Sequence, residues 1–297
     1  MTVTKKALEL AKEINKLFKE TDDQRDKGLP RNIPEVQRFD DIPYGPIEKW
    51  HWLDIYRPKN AKGKLATIIN IHGGGWVYGT KETYQFYGMS LAKKDFAFVN
   101  INYRLAPTVE FPSELDDINL AIHWLTAHAK DYQLDLDNVF LVGDSAGGQM
   151  TLQYLTILSN DRFRELFHYD KPDLTVRAAA INCGASFLFL PGAIAGAPEA
   201  YFTKESREKH AELLLTEQYL TQNCPPLFIM TATDDFIRDN SVRLDGFLMA
   251  KGIDHEFHLY GTLDNPRGHV FHCNIRDDLA QQCNEDELNF FRKYIVK

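Results

Sequence analysis

A serine set between small residues at the end of an apolar run is the first place where this chain offers chemistry. Val139-Phe140-Leu141-Val142 runs directly into Gly143-Asp144-Ser145-Ala146-Gly147-Gly148. The spacing is G-x-S-x-G after a strand, the sequence form of a nucleophile elbow. A sharp strand-to-helix turn would hold Ser145 in a strained conformation and lift its hydroxyl clear of the sheet. Side chains two positions before and after it would strike the neighbouring strand and helix, which accounts for glycine at 143 and 147. A plain glycine-rich turn with an inert serine has the same local form, so the partners of a nucleophile must be sought elsewhere in the chain.

A serine hydroxyl needs a base to take its proton and a third group to orient that base. After the apolar run Pro226 to Thr231 comes Ala232-Thr233-Asp234-Asp235-Phe236-Ile237-Arg238-Asp239, which places acids at the carboxyl end of a strand. After the run His255 to Tyr260 comes a loop ending Gly268-His269-Val270-Phe271-His272. Serine, acid and histidine thus follow one another in the order that elbow-type hydrolases use. His72-Gly73-Gly74-Gly75-Trp76 lies about seventy residues before the elbow and also follows a strand. Consecutive glycines let main-chain N–H groups converge on one point, as an oxyanion hole requires. A phosphate-binding loop would instead end in G-K-[ST] or read G-x-G-x-x-G, and neither pattern is present.

These loops need a frame, and the rest of the pattern supplies one. Strand-length apolar runs fall at Trp52–Tyr56, Ala66–Ile71, Phe96–Ile101, Val139–Val142, Ala178–Ile181, Leu227–Thr231 and His255–Tyr260. Helical spacing falls between them at Tyr84–Lys93, Glu114–Ala129, Ala146–Ser159, Asp239–Lys251 and Asp277–Tyr294. Such alternation predicts a mostly parallel sheet with helices on both faces, and ligands at the carboxyl ends of its strands. Before this frame stand an amphipathic helix over residues 7–18, whose Lys and Glu face is not the basic face of a membrane-surface helix, and a proline-punctuated stretch read as irregular chain. The compact fold is expected to begin near residue 47. Roughly forty residues between Gly184 and Pro225 interrupt the rhythm, too many for a simple connection. Their Leu213, Leu214, Leu215, Tyr219 and Leu220 predict an ordered insertion.

Composition narrows the classes of function. The 297 residues carry a net charge of −8, which offers no general attraction to nucleic acid or anionic lipid. Four cysteines without C-x-x-C spacing point to reduced, buried thiols and not to a disulfide scaffold. No secretory signal is evident at the N-terminus. Residues 178–198 lack charge and have the length of a membrane span, but their prolines and glycines predict a strand running into a loop. The expectation is a cytoplasmic protein without stable membrane association. No ligand cluster with metal spacing appears, so neither a metal nor an organic cofactor is expected.

Four motifs in order now resemble a family: His72 to Trp76, Asn102-Tyr103-Arg104-Leu105-Ala106-Pro107, Phe111-Pro112 with Leu115-Asp116-Asp117, and Gly143 to Gly148. Over about residues 50–297 the chain resembles the hormone-sensitive-lipase-like branch of the α/β-hydrolase esterases. The resemblance implies one α/β-hydrolase domain over 1–297, with a helical cap built from residues 1–45 and 186–222. It implies Ser145 as nucleophile, His269 as general base in preference to His272, and N–H groups of Gly74, Gly75 and Ala146 as the oxyanion hole. Asp235, in preference to Asp234, is implied as the acid, because Asp-Phe-Ile-Arg-Asp stands where the family has Asp-Pro-Leu-Arg-Asp. Asp239 reads as a helix-start residue, and His72 as a pin for its own loop. Trp76, Phe187 and Phe189 are candidates to line the substrate pocket, although aromatics at a sheet edge are as often core.

The departures are Thr108, where the branch has glutamate, and Val270, where it has glycine. The implied activity is hydrolysis of short- to medium-chain acyl esters by way of an acyl-enzyme. An amide-type hydrolase resembling an arylformamidase would use the same residues, and a non-catalytic receptor-like member would retain the elbow but lack the histidine. A small-molecule ester is the expected partner, and the sequence leaves the oligomeric state open.

Overall fold

A computed structural model describes residues 3–297. The central sheet has eight strands: β1 Val36–Pro43, β2 Trp52–Pro58, β3 Leu65–Ile71, β4 Ala97–Ile101, β5 Leu134–Asp144, β6 Val176–Asn182, β7 Leu227–Ala232 and β8 His255–Tyr260. Their order across the sheet is β1-β2-β4-β3-β5-β6-β7-β8. The β1–β2 and β2–β4 pairs are antiparallel and the remaining neighbours are parallel. Helices α1 Lys5–Asp26, α2 Gln85–Ala92, α3 Ser113–His128, α4 Ala146–Ser159, α5 Asp161–Phe167, α6 Lys204–Lys209, α7 Thr216–Tyr219, α8 Arg238–Lys251 and α9 Asp278–Arg292 complete the chain.

Alternation along the central strands divides the interior into two layers. Ile69, Val99, Leu141, Ile181 and Ile229 join one buried cluster with residues of α3, α4 and α8. Their neighbours Ile68, Phe98, Phe140, Ala180 and Phe228 join the other with residues of α2 and α9. Strands buried on both faces read as continuous apolar runs, which is why short apolar runs sufficed to find them in the sequence. This is the α/β-hydrolase fold, a mostly parallel sheet with helices on both faces.

The N-terminal region is more regular than its prolines suggest. α1 continues through the polar stretch to Asp26, with ion pairs of Lys19 with Asp23 and of Arg25 with Asp22 along its last turns. β1 lies before residue 47 and belongs to the sheet, which corrects the expected start of the compact fold. It is an edge strand with an irregular register between Phe39 and Ile42, and Pro43 is its last residue. Proline is tolerated there because an edge position needs no inward N–H donor. The charge-free stretch from 178 is β6 followed by a loop, and no helix among the described residues is long and apolar enough to cross a membrane.

One buried carboxyl ties α9 to the rest. Glu287 accepts the Tyr87 hydroxyl of α2 at 2.8 Å and the Asn182 amide of β6 at 2.7 Å. Burial raises its pKa from 4.5 to about 7 despite those two donors. The acid therefore stays neutral in the folded chain at pH values where it ionises once unfolded, and its stabilising contribution is full below pH 4.5 and lost as pH rises through about 7. Glu287→Gln, which cannot ionise, is expected to remove this component. The melting-temperature advantage of the native chain over the variant, followed by circular dichroism, should be greatest near pH 4.5 and shrink toward pH 7.

Candidate active site

The carboxyl ends of β3, β5, β7 and β8 bring the sequence motifs to one edge of the sheet. At the end of β5, Ser145 has φ 53° and ψ −120° before α4 begins, a conformation that costs roughly 1–3 kcal/mol. Its neighbours hold it there. The Ser145 N–H donates to the Asn182 carbonyl at 3.0 Å, and its own carbonyl accepts from Gln149 at 3.1 Å and Ala185 at 3.0 Å. A Cβ on Gly147 would stand 2.0 Å from the Ile71 carbonyl oxygen, and one on Gly143 would stand 2.2 Å from Thr151 Oγ1. Both glycines are therefore steric requirements of the turn, as the elbow pattern anticipated.

The Ser145 hydroxyl is 2.9 Å from His269 Nε2, and His269 Nδ1 is 2.7 Å from Asp235 Oδ1. Thr231 Oγ1 donates to Asp235 Oδ2 at 2.8 Å, and the Ile237 N–H donates to Oδ1 at 3.0 Å. Burial works against an ionised Asp235, yet the bonds and charge of His269 and the other two donors outweigh it and hold the carboxyl below the usual range. The imidazole therefore meets a charged acceptor at the atom opposite Ser145. Ser145, His269, Gly74 and Gly75 each retain partial exposure.

The competing residues lie elsewhere. Asp234 is exposed and its backbone pairs with Gly268, which fastens the acid loop to the histidine loop. His272 is buried on the α2 side, edge-on to Tyr87, and burial lowers its pKa to about 3. Asp239 stands in the first turn of α8. Val270 takes φ 51°, a left-handed conformation that glycine adopts freely and a β-branched residue does not.

The glycine loop is fixed from beneath. His72 is fully buried, its Nδ1 donates to the Gly73 carbonyl at 2.8 Å, and burial lowers its pKa to about 4. It is a neutral pin, as its position suggested. Among the described residues no protein acceptor takes the N–H groups of Gly74, Gly75 or Ala146. Gly73 instead donates to Asp144 Oδ1 at 3.1 Å, while the Tyr84 hydroxyl donates to Asp144 Oδ2 at 2.7 Å. Asp144 thus clamps the glycine loop to the elbow, and burial raises its pKa to about 6. Its place inside the elbow motif was visible in the sequence, but nothing there marked Tyr84, which reaches Asp144 from the start of α2.

The three pocket candidates differ in setting. Trp76 is buried, with its indole N–H on Gln149 Oε1 at 3.2 Å and its ring edge-on to Phe202. Phe187 is buried against Phe189 and Phe247, whereas Phe189 is exposed. Cys183, Asp235 and His269 also bring ligand atoms within 4.8 Å of one another. The acid and imidazole there are already bonded to each other, and burial pushes the Cys183 thiol well above its usual range, which disfavours the thiolate a metal would need.

Comparison with known proteins fits this geometry. The BD-FAE family model matches residues 53–244. The chain belongs to the BD-FAE family. That match includes the glycine loop, Ser145 and Asp235 but stops before His269. It corrects the narrower resemblance to the hormone-sensitive-lipase-like branch: two of the four motifs behind that resemblance encode an elbow and a glycine loop, which report the chemistry and not the branch.

Among relatives of this BD-FAE member, esterase LipI of Mycobacterium tuberculosis is 29% identical over 269 residues, covering 81% of this chain and 78% of LipI. The versiconal hemiacetal acetate esterase of Dothistroma septosporum is 34% identical over 108 residues, 36% of this chain and 33% of that enzyme. Of three curated relatives it matches, the chain spans between 33% and 56% of their length. The crystal structure of esterase B from Lactobacillus rhamnosis, inhibited by a C4-C4 tributyrin phosphonate, superposes with a TM-score of 0.85 at 24% identity and covers 96% of this chain and 95% of its own.

Tyr84→Phe tests the clamp. It leaves the buried Asp144 carboxyl without its hydroxyl donor, and the expected loss is about 1–3 kcal/mol of stability, measured as a lower urea midpoint with unchanged slope.

Proposed function

We propose that this BD-FAE protein is a serine carboxylic-ester hydrolase acting on short- to medium-chain acyl esters. The observation that carries the proposal is the continuous line of hydrogen bonds from Asp235 through His269 to the hydroxyl of Ser145. In the proposed reaction His269 takes the Ser145 proton as the hydroxyl attacks the ester carbonyl, and the imidazolium that forms is oriented and stabilised by Asp235. The developing oxyanion lies against the N–H groups of Gly74, Gly75 and Ala146, which have no acceptor to give up among the described residues. His269 then protonates the departing alcohol, and water repeats the sequence on the acyl-enzyme to release the acid. The esterase names of LipI and the Dothistroma enzyme support this choice of chemistry.

Residues 186–222 and the part of 1–45 that precedes β1 act, in the same proposal, as a cap on a single domain, since β1 itself belongs to the sheet. Several contacts support it: α1 packs on the turn Ala197–Ala200, Asn15 holds the Val77 carbonyl at 2.9 Å, and Trp76, next to the glycine loop, meets Phe202. On this reading Trp76, Phe187 and Phe189 shape the pocket from that side. A cytoplasmic location also belongs to the proposal, and four buried, unbridged thiols suit a reducing compartment.

The test is hydrolysis of p-nitrophenyl esters of increasing acyl length by the native chain and by single variants. Ser145→Ala and His269→Ala are expected to fall to near background, and Asp235→Asn to lose about 10⁴-fold in kcat. Absence of turnover by the native chain on every ester, with ligand affinity unchanged in Ser145→Ala, would establish a receptor-like role instead. Faster turnover of matched amides than of esters would establish an amidase.

A further inference from the structure

The proposed reaction leaves one exposed aromatic beside the base without a task. Phe236 is 73% exposed, yet its ring lies against the His269 imidazole with centroids 4.4 Å apart and 50° between the planes. Its position is fixed on both sides. Asp235 is bound to Thr231 and His269, and Ile237 donates its N–H back to Asp235. The Asp234 N–H donates to the Arg267 carbonyl at 2.8 Å, which stitches the same loop to the histidine loop. Phe236 therefore presents, from a fastened stretch of backbone, an apolar ring that is open to water and lies against the base.

The chemistry decides which part of an ester would cover it. The acyl carbon must reach Ser145 Oγ and its oxygen the glycine-loop N–H groups, whereas the alcohol oxygen must come within hydrogen-bond reach of His269 Nε2 to receive its proton. The substituent on that oxygen therefore departs along the imidazole side, where Phe236 packs. We propose that Phe236 forms the subsite for the leaving alcohol and favours esters whose alcohol carries a flat apolar group, an aryl or arylalkyl alcohol, over esters of small alkanols. A ring stacked there would gain apolar burial and an aromatic contact that methanol cannot make. The proposal rests on the ester-hydrolase reading above.

Benzyl acetate and methyl acetate give the same acetyl-enzyme, so they differ in acylation alone. Phe236→Ala is expected to lower kcat/KM for benzyl acetate about 10-fold and to change that for methyl acetate by less than about twofold, with Phe236→Trp restoring the benzyl preference. The pH profile on methyl acetate should be the same in the native chain and Phe236→Ala. An equal fall on both esters, or a displaced pH profile, would overturn the proposal and make Phe236 a support for the imidazole. Unchanged kinetics on both esters would overturn it as well. If the native chain hydrolyses neither acetate nor any p-nitrophenyl ester, the ester-hydrolase reading itself has failed; if it hydrolyses them and the two acetates respond alike to Phe236→Ala, only the alcohol subsite has failed.

Discussion

The backbone of Ser145 turns where an ordinary side-chain-bearing residue resists turning, and much of the surrounding structure serves to keep it there. The left-handed φ of 53° brings α4 back across the ends of β3 and β5 so closely that Gly147 has no room for a Cβ beside the Ile71 and His72 carbonyls. Stiffness on all sides makes the turn possible. β3 and β6 flank β5, and backbone bonds from Asn182 and Ala185 fasten the serine to the chain leaving β6.

Burial then sorts the ionisable groups around the turn. His72 is held neutral because its imidazole is fully enclosed, so it can serve as a donor to its own loop without carrying charge. Glu287 is pushed toward neutrality for the same reason. Asp235 is treated differently: three donors converge on it, and its carboxyl is held below the usual range in spite of its burial. The negative charge of Asp235 is thereby placed beside the imidazole nitrogen that does not face Ser145. The proposed reaction uses this arrangement, since the positive charge that forms on His269 would meet a ready counter-charge.

The same physics explains why the sequence named a fold more securely than a branch. An elbow and a glycine loop are demanded by sterics and by oxyanion chemistry, so Gly143 to Gly148 and His72 to Trp76 report that chemistry first. They cannot distinguish one set of esterases from another, and the family match corrected the narrower resemblance. The support around these motifs was less legible. Tyr84 reads as an aromatic near a helix start, and only the fold brings its hydroxyl to Asp144, sixty positions away. β1 was hidden because proline argues against a strand in general, and its edge position, where that argument lapses, is a property of the assembled sheet.

The sequence by itself determined the central strands, the helices between them and the nucleophile turn, because each depends on local spacing: apolar runs, helical periodicity, and glycine where a Cβ has no room. Tertiary structure decided which of two adjacent aspartates and which of two nearby histidines face one another. In the β7 loop Asp235 turns inward to His269 while Asp234 is spent on a backbone bridge. In the β8 loop the left-handed Val270 separates His269, at the site, from His272, in the core. Residues one or three positions apart differ little in any local pattern. What separates them is the direction each side chain takes once distant strands have been laid side by side.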